Sequence, residues 1–542
     1  MSEPQAFFAI DQGAATTSAA LVGRVSGHWR LLGALALPAG IPLEAILDRV
    51  VERVLAADAA IGREIGAADL GAAAGWPRLV ARSAPPPRVA VLAATEATRE
   101  RLVRAAHAAG WRTSSGSAER DGPLELLRLA LDPGVRTVLA GTLDPPAGAE
   151  RSRLAILTAL LTALEERRPD VTLVLSGGLA TSAPPETEPD DGAGGSTRCF
   201  APGPGSDAGI DDPLVGFLDR LRARPSDALG GIVRATATLA GIVGRRVETV
   251  SIGFDAGARI AAWPTPPTDT DEPAGTAWRA AVVPEAGLVP EMLDEDAVGG
   301  VLAWSTVAMD RIRLRDRLAE LRRSPWGDAD GDGAALRLAA ARAALVRLVE
   351  ATPALDDLPP PDLIVATGGA FAVAPGPAVA LALADTLRRP AACQLALDHA
   401  RLLAPLGVVP EESQRQRLME DLADDLLAPL GSVISPQGLR AGRSAGRLTI
   451  RAGAGLSELD LVPGALQLVD LPPGQVATAE FVFTEPVVLG TRGRRFSVEV
   501  GGGLGGLLID LRDVPLRLPD RPEHRRELLV AWQDALWTGG IG

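Results

Sequence analysis

Short apolar runs alternate along most of this chain with longer segments in which apolar residues recur every three or four positions. The short runs are typical of buried strands and the longer period is typical of amphipathic helices. Their alternation indicates an α/β protein. The predicted strands are Phe7–Ile10, Ala15–Val22, Val89–Ala93, Thr137–Ala140, Thr172–Leu175, Val247–Ile252, Ala258–Trp263 and Leu363–Ala366. The predicted helices are Leu43–Ala56, Glu96–Ala109, Arg151–Glu166, Asp212–Arg222, Ser226–Gly241, Ala335–Glu350 and Pro377–Thr386.

Three segments rich in proline, glycine and aspartate break this alternation and are predicted to be mobile loops. They are Ser182–Asp212, Pro264–Gly275 and Ser324–Gly333. The last contains Asp328, Asp330 and Asp332 at the spacing that begins a calcium loop. Ala339 stands where that loop needs a bidentate glutamate, so a solvated acidic linker is the favoured interpretation.

The pattern changes after Pro410. Residues 411–445 are predicted to form a helical connector, and residues 446–519 contain short Val-, Leu- and Thr-rich runs that predict a small all-β domain. Residues 520–542 predict an amphipathic helix with Leu529 and Trp532 near one face. We expect this helix to pack on its own β-domain in preference to a partner.

The length of 542 residues exceeds what one hydrophobic core supports, so several domains are expected. A formal net charge of −14 argues against nucleic-acid or anionic-membrane binding, because both need basic surfaces. We find no signal-peptide pattern and no apolar stretch long enough to cross a bilayer. The two cysteines, Cys199 and Cys393, have no metal-ligand spacing, which predicts a reduced, cytoplasmic protein.

The sequence contains no lysine, tyrosine or asparagine. Without lysine there is no Walker-A loop, no Schiff base and no protein-kinase lysine. The four histidines are scattered and form no metal-binding or triad spacing, so zinc hydrolysis and Ser-His-Asp catalysis have little support.

The candidate chemistry begins at the N-terminus, where a strand delivers Asp11 to a glycine turn at Gly13 followed by Thr16 and Thr17. A glycine turn lets backbone N–H groups approach an anion, and the hydroxyls add further donors. Asp11 could hold a divalent metal through water. A second strand follows the turn, whereas Rossmann and P-loop sites need a helix there. The alternatives are a phosphate-binding hairpin and an ordinary one.

The same strand, glycine turn and strand recur at Val247–Trp263, where Gly253, Asp255 and Gly257 form the turn region. Later the run "LIVATGGAFA" ends a strand in Gly368 and Gly369. Two phosphate hairpins followed by a Gly-Gly turn for the adenosine is the layout of actin-like ATPases.

These motifs in order resemble the MutL (GlmL) family of accessory proteins encoded with cobalamin-dependent glutamate mutase. Asp11, Gly13 and Thr17 match the family's opening hairpin, "LVLSGG" (173–178) matches its apolar strand ending in a glycine pair, and "ATGGAF" (366–371) matches its Gly-Thr-Gly-Gly turn. "SIGFDAGA" (251–258) stands at its second hairpin, and an apolar stretch resembles "CQLALDHARLLAPLGVV" (393–409).

The resemblance implies a two-lobed actin-like fold of the ribonuclease H-like class, with lobes at 1–245 and 246–410. It implies ATP and Mg²⁺ as cofactors and a chaperone or scaffold role toward a protein partner such as a cobalamin-dependent mutase. Asp11 and Asp255 would be the catalytic residues, with Asp11 also on the metal. Phosphates and adenosine would contact Gly13, Thr16, Thr17, Gly253, Gly257, Gly368 and Gly369.

One departure concerns hydrolysis. Ser251 stands where the family's second hairpin has its leading aspartate, and both following hydroxyls are absent. Because positioning and charge stabilisation carry phosphoryl transfer, we expect ATP hydrolysis to be weak or lost. Two alternatives remain: a small-molecule kinase of the same fold, and an actin-like adaptor or filament protein. The residues do not indicate the oligomeric state.

Overall fold

The computed structural model describes most of the chain between residues 5 and 537. The residues outside the described set are 1–4, 59, 62–64, 66–74, 84, 144–145, 147, 182–197, 206–211, 223–226, 267–274, 291–292, 325–326, 328–330, 372–373, 441–443, 454, 513–515 and 538–542. The chain forms two compact units. The first comprises Met1–Ser83, Pro225–Trp278 and Glu285–Gly542, and the second comprises Ala84–Arg224 and Arg279–Pro284. The predicted lobe boundary between 245 and 246 stays a prediction.

The N-terminal sheet of the first unit runs in the order β3-β2-β1-β4. Its strands are β1 (Ala6–Gln12), β2 (Thr16–Val25), β3 (His28–Pro38) and β4 (Arg78–Arg82). One face carries Phe8, Ile10 and Leu21, which pack against buried residues of helix α1 (Leu43–Ala57). Burial of this apolar face stabilises the β1–β2 hairpin that holds the predicted opening motif.

The second unit is built on a sheet of parallel strands in the order β6-β5-β7-β8-β9. Three of its strands are predicted from the sequence, but as parts of the lobe at residues 1–245. The strands are β5 (Arg88–Ala93), β6 (Arg112–Ser117), β7 (Thr137–Gly141), β8 (Thr172–Ser176) and β9 (Arg198–Ala201). The helices are α2 (Glu96–Ala108), α3 (Pro123–Leu131), α4 (Gly148–Arg167), α5 (Gly178–Thr181) and α6 (Pro213–Arg222).

The largest sheet belongs mainly to the first unit and has the order β12-β11-β10-β13-β14-β15-β21-β18. Its strands are β10 (Val247–Ile252), β11 (Gly257–Thr265), β12 (Gly275–Val283), β13 (Leu363–Thr367), β14 (Ala392–Leu397), β15 (Ala428–Ile434), β18 (Leu466–Val469) and β21 (Leu507–Asp510). Further α-helices among the described residues are α7 (Ala228–Val243), α8 (Glu295–Trp304), α9 (Arg311–Arg323), α10 (Gly331–Glu350), α11 (Pro353–Asp356), α12 (Gly376–Thr386), α13 (Leu403–Gly407), α14 (Glu412–Asp421) and α15 (Ala423–Leu426).

One hydrophobic cluster joins the N-terminal sheet to the largest sheet. It contains Phe7 and Val22 of the N-terminal sheet, Leu239 of α7, and Val247 and Val365 of the largest sheet. Because protein interiors are close-packed, this shared core holds the β1–β2 and β10–β11 hairpins in fixed positions.

The predicted C-terminal organisation differs from the observed one in two places. The helical connector ends at Leu426, and Ala428–Ile434 is strand β15 instead. Only β16 (Gly446–Ala452), β17 (Gly455–Leu461), β19 (Val476–Leu489) and β20 (Thr491–Gly501) form a separate antiparallel sheet. Strands β18 and β21 complete the largest sheet, because the apolar run Leu507–Ile509 is buried beside β15.

The C-terminal helix α16 (Pro522–Trp537) packs against β18 and helix α8. The sequence predicts that it packs on the β-domain, but β18 belongs to the largest sheet. Leu529 and Trp532 are buried, and the Arg512 guanidinium carbon lies 4.3 Å from the centre of the Trp532 ring. The residues 538–542 of the predicted helix lie outside the described set.

The three predicted loops fall largely outside the described residues, and so do Asp328 and Asp330 of the calcium-like segment. Within the first loop, Arg198–Ala201 is a strand, and Asp332 is already helical in α10. None of the helices described here combines the length and apolar character needed to cross a membrane.

Candidate functional site

The β1–β2 and β10–β11 hairpins, called below the first and the second hairpin, have the same hydrogen bond across their turns. Gly13 N–H donates to Thr16 O at 2.8 Å, and Gly253 N–H donates to Ala256 O at 2.9 Å. A Cβ at either glycine would lie 3.1 Å from that acceptor oxygen, which is tighter than most side chains tolerate. The repeat inferred from the sequence is therefore present as a repeat of local geometry.

The strand registers align the two hairpins residue by residue. Asp11 pairs with Ser18, and Ser251 pairs with Ala258. Each pair lies two positions from its turn glycine, so Ser251 occupies in the second hairpin the place that Asp11 occupies in the first. The carboxylate of the first hairpin has no counterpart at this position.

The Gly368–Gly369 turn contacts both hairpins. It follows β13, which runs parallel to β10 with Thr367 opposite Ser251. Gly368 has φ +99°, and a Cβ there would lie 2.5 Å from Ile252 O, so this position needs glycine. A Cβ at Gly369 would lie 3.2 Å from Thr16 Oγ1. The turn thus lies between the end of β10 and the start of β2.

Arg401 holds the first hairpin from a distant part of the chain. Its Nη2 lies 2.6 Å from Asp11 Oδ2, and its Nη1 donates to Thr16 Oγ1. The side chains of Arg401 and Asp11 are 6% and 9% exposed. Arg401 also has φ +57°, a conformation that costs a non-glycine residue about 1–2 kcal/mol. Its surrounding contacts must offset that cost.

Asp398 lies in the turn that precedes Arg401 and is buried. It accepts hydrogen bonds from Thr367 Oγ1 at 2.8 Å, Leu402 N–H at 2.7 Å and Leu403 N–H at 3.3 Å. Burial raises the pKa of Asp398 to about 6; the negative charge of Asp11 also raises it, and the three hydrogen bonds oppose the shift. Asp398 therefore connects the β13 end to the turn that carries Arg401.

Two polar atoms in this cluster are buried without a hydrogen-bond partner: Asp11 Oδ1 and Arg401 Nε. Such atoms in native proteins call for a water, an ion or a ligand. The predicted Mg²⁺ does not fit at Asp11, because the Arg401 guanidinium holds Asp11 Oδ2 and supplies a positive charge where the metal would need to bind. Among the residues described, no group of three or more His, Cys, Asp or Glu side chains could hold a metal ion.

The second turn is held from its other side. Gly253 O accepts from Leu288 N–H at 2.9 Å, and a Cβ at Gly257 would lie 2.8 Å from Ala286 O. Asp255 is 18% exposed and its Oδ1 lies 3.7 Å from Arg322 Nη2 of α9. The two aspartates proposed as catalytic are thus each opposed by an arginine.

The structure brings Asp11, Gly13, Thr16 and Gly369 together around Arg401. Thr17 is buried in the same hairpin and pairs with Gln12. The sequence analysis did not assign Arg401, Asp398 or Thr367 to the site. The available signal was the charged "DHAR" segment (398–401), which interrupts an apolar run directly after a strand. The other predicted site residues lie elsewhere: Gly253, Asp255 and Gly257 belong to the second hairpin, and Gly368 belongs to the glycine turn.

No protein-family model and no curated protein matches the sequence. Among solved structures, the chain is similar to acetone carboxylase in a nucleotide-free structure of that ATP-dependent enzyme, with 11% identity and a TM-score of 0.30 over 84% of this chain and 80% of the other. It is also similar to a chain of the PilM–PilN type IV pilus biogenesis complex, with 12% identity and a TM-score of 0.21 over 70% and 85%. Likeness at this level assigns neither a fold nor a function.

Proposed function

We propose that this chain is a nucleotide-binding accessory protein with an actin-like cleft, in which ATP hydrolysis is weak or lost. The supporting observation is the pair of hairpins with identical turns, both contacted by the Gly368–Gly369 turn. A strand–turn–strand element with a glycine at the turn presents backbone N–H groups to an anion. Both elements lie close to one glycine turn, and in this proposal the backbone between them binds the phosphates.

Under this proposal the first hairpin, through Gly13, Thr16 and Thr17, faces one side of the phosphates. The second hairpin, through Gly253 and Gly257, faces the other, and Gly368 and Gly369 lie beside the adenosine. Gly13 and Gly369 are half-buried and Ala14 at the first turn is exposed, which leaves backbone accessible at this place.

Three features of the chain argue for weak hydrolysis. Ser251 replaces the carboxylate of the second hairpin, Asp255 lies against Arg322, and Asp11 is paired with Arg401. Phosphoryl transfer depends on carboxylates that orient a metal and a water. With its carboxylates paired to arginines, the site is suited to binding in preference to hydrolysis.

The order of the motifs supports a finer proposal, that the chain is a MutL/GlmL-like chaperone or scaffold for a partner enzyme, with a cobalamin-dependent mutase as the candidate. In this proposal residues 1–245 and 246–410 form the two lobes, and cleft closure on a nucleotide changes partner affinity. Gel filtration with purified glutamate mutase tests it: co-elution that changes on addition of ATP supports the role, and no co-elution in either condition contradicts it.

Isothermal titration of the full chain with ATP tests the nucleotide site. We expect saturable binding, with affinity reduced in both Gly13→Ala and Gly253→Ala because each Cβ would crowd its own turn. Gly299→Ala is the matched control, since its Cβ would meet nothing within 4 Å. Absence of heat at millimolar ATP, or equal binding by all variants, would remove the proposal. An ADP-release assay is expected to show little turnover with or without small-molecule acceptors.

A further inference from the structure

We infer that Arg401 takes the place of the divalent cation at the first hairpin, so that the site binds nucleotide phosphates without Mg²⁺. This inference rests on the proposed nucleotide site and specifies how that site neutralises its ligand. A guanidinium is a permanent cation with several N–H donors in a plane, a geometry that suits phosphate oxygens.

The position of Arg401 supports this role. Its Nη1 contacts Thr16, which is expected to contact phosphate, and its Nη2 contacts Asp11, which is expected to contact the metal. Nearby glycines keep side chains away from the same nitrogens: a Cβ at Gly13 would lie 3.5 Å from Nη2, and one at Gly369 would lie 3.9 Å from Nη1. A guanidinium has five N–H donors, so hydrogen bonds to Asp11 and Thr16 leave donors for a ligand.

The conformation of Arg401 supports it as well. A left-handed backbone at an arginine is unfavourable, and residues held in such conformations cluster at functional sites. The turn is fixed by Asp398, which accepts from Leu402 N–H, and by Arg401 N–H, which donates to Asp398 O at 3.2 Å. In this strained conformation the Arg401 guanidinium contacts Asp11 and Thr16 of the first hairpin.

The unsatisfied atoms indicate that the cluster is incomplete without a further group. Asp11 Oδ1 lacks a donor and Arg401 Nε lacks an acceptor, although both are buried. A phosphate with its bound water supplies both an acceptor and a donor. A metal ion cannot accept a hydrogen bond from Nε, and its positive charge would be repelled by the guanidinium.

The decisive measurement is calorimetric titration of the full chain with ATP in excess EDTA and again in excess Mg²⁺. We expect dissociation constants that agree within about threefold. Binding that appears only with Mg²⁺ would overturn this inference and leave the proposed nucleotide site intact. Absence of binding in both conditions would overturn the nucleotide site and this inference with it.

Arg401→Gln sharpens the test, because it removes the guanidinium and frees Asp11 for a metal. We expect ATP binding in EDTA to weaken by at least about tenfold, and Mg²⁺ to restore it. In the double variant Asp11→Asn/Arg401→Gln, Mg²⁺ should restore nothing. Unchanged binding by Arg401→Gln in EDTA would contradict the inference.

The double variant Asp11→Asn/Arg401→Gln is expected to fold, because it removes both members of the buried ion pair and leaves no unpaired charge of that pair. A matched control is Glu248→Gln/Arg259→Gln, which removes another buried ion pair of 2.6 Å from the same unit. Thermal unfolding of both double variants shows whether the fold is retained. ATP binding without metal should be lost only in the variant that lacks Arg401, and equal loss in both would contradict the inference.

Discussion

Arg401 and Asp11 form a buried ion pair in which Nη2 and Oδ2 are 2.6 Å apart, although one residue lies in the first strand and the other follows β14. The pair closes the first hairpin against the turn at residues 398–401. The pair also places a permanent positive charge beside the Asp11 carboxylate, which the sequence motifs predict to bind a metal. Stability and ligand binding are therefore expected to depend on the same two side chains.

Removing one member of this pair should destabilise the protein strongly. Asp11 is buried, and Arg401→Met would leave its carboxylate without a counter-charge, at a cost of about 3–5 kcal/mol in the free energy of unfolding. Urea unfolding of the wild-type and variant proteins measures the difference.

The exposed pair Arg447–Glu458 is the matched comparison, with 3.3 Å between Nη1 and Oε2 and both side chains more than half exposed. Arg447→Met should cost less than about 1 kcal/mol, because surface pairs contribute little. A loss of similar size in the two variants would show that Arg401 is not holding a buried charge.

The raised pKa of Asp398 predicts a dependence of stability on pH. An ordinary aspartate titrates near 3.8, whereas Asp398 titrates at about 6 in the folded protein. The folded state therefore binds this proton more tightly, and the stability that protonation confers is present below pH 4 and is lost as the pH rises to about 6. The loss amounts to at most about 3 kcal/mol.

Asp398→Asn tests this dependence because it cannot titrate and keeps an acceptor for Leu402 N–H. Unfolding by urea at several pH values between about 4 and 7 should show a smaller decline of stability for the variant than for the wild-type protein. Parallel profiles for the two proteins would mean that Asp398 does not bind its proton more tightly in the folded state.

Gly368→Ala should lower the free energy of unfolding by more than an alanine at a positive φ ordinarily does. A Cβ at this position would lie 2.5 Å from Ile252 O, so the turn must move away from β10. Gly27 provides the control, because it has φ +89° and its Cβ would meet nothing within 4 Å.

Gly27→Ala is expected to cost about 1 kcal/mol, whereas Gly368→Ala should cost about 1–3 kcal/mol more. Thermal and urea unfolding measure both. If the two substitutions proved equally costly, the close approach of the glycine turn to β10 would be ruled out.

Truncation of Trp532 should detach the C-terminal helix from the largest sheet. Trp532 is 8% exposed and stacks on the Arg512 guanidinium, so Trp532→Ala should cost about 3–5 kcal/mol. Val530 on the same helix is 39% exposed, and Val530→Ala should change stability by less than about 1 kcal/mol. Proteolysis of residues beyond 516 in the folded protein should accelerate only in the tryptophan variant.

Local patterns in the sequence were sufficient to predict the elements that carry the site. Leu363–Ala366 is a continuous apolar run, Val247–Ile252 carries three apolar residues among polar ones, and Gly13 and Gly253 mark turns whose hydrogen bonds join neighbours close in sequence. Apolar runs and glycine turns are short-range signals, because burial and backbone freedom act on each segment separately.

Long-range placement required the tertiary structure. The sequence predicts one C-terminal β-domain, yet β18 and β21 join the largest sheet, in which β21 pairs with β15. The parallel strands β5 to β9 form a unit of their own. Strand partners are chosen by packing over the whole chain, which a single segment does not encode.

Local sequence patterns were sufficient to predict the two hairpin turns and the Gly368–Gly369 turn, and they place Ser251 where the first hairpin has Asp11. The contacts of Arg401 with Asp11 and Thr16 came from the fold of the whole chain, because nothing in the local pattern of residues 398–401 specifies a partner at the N-terminus. A buried ion pair forms where folding brings two charges together, which is a property of the packed core.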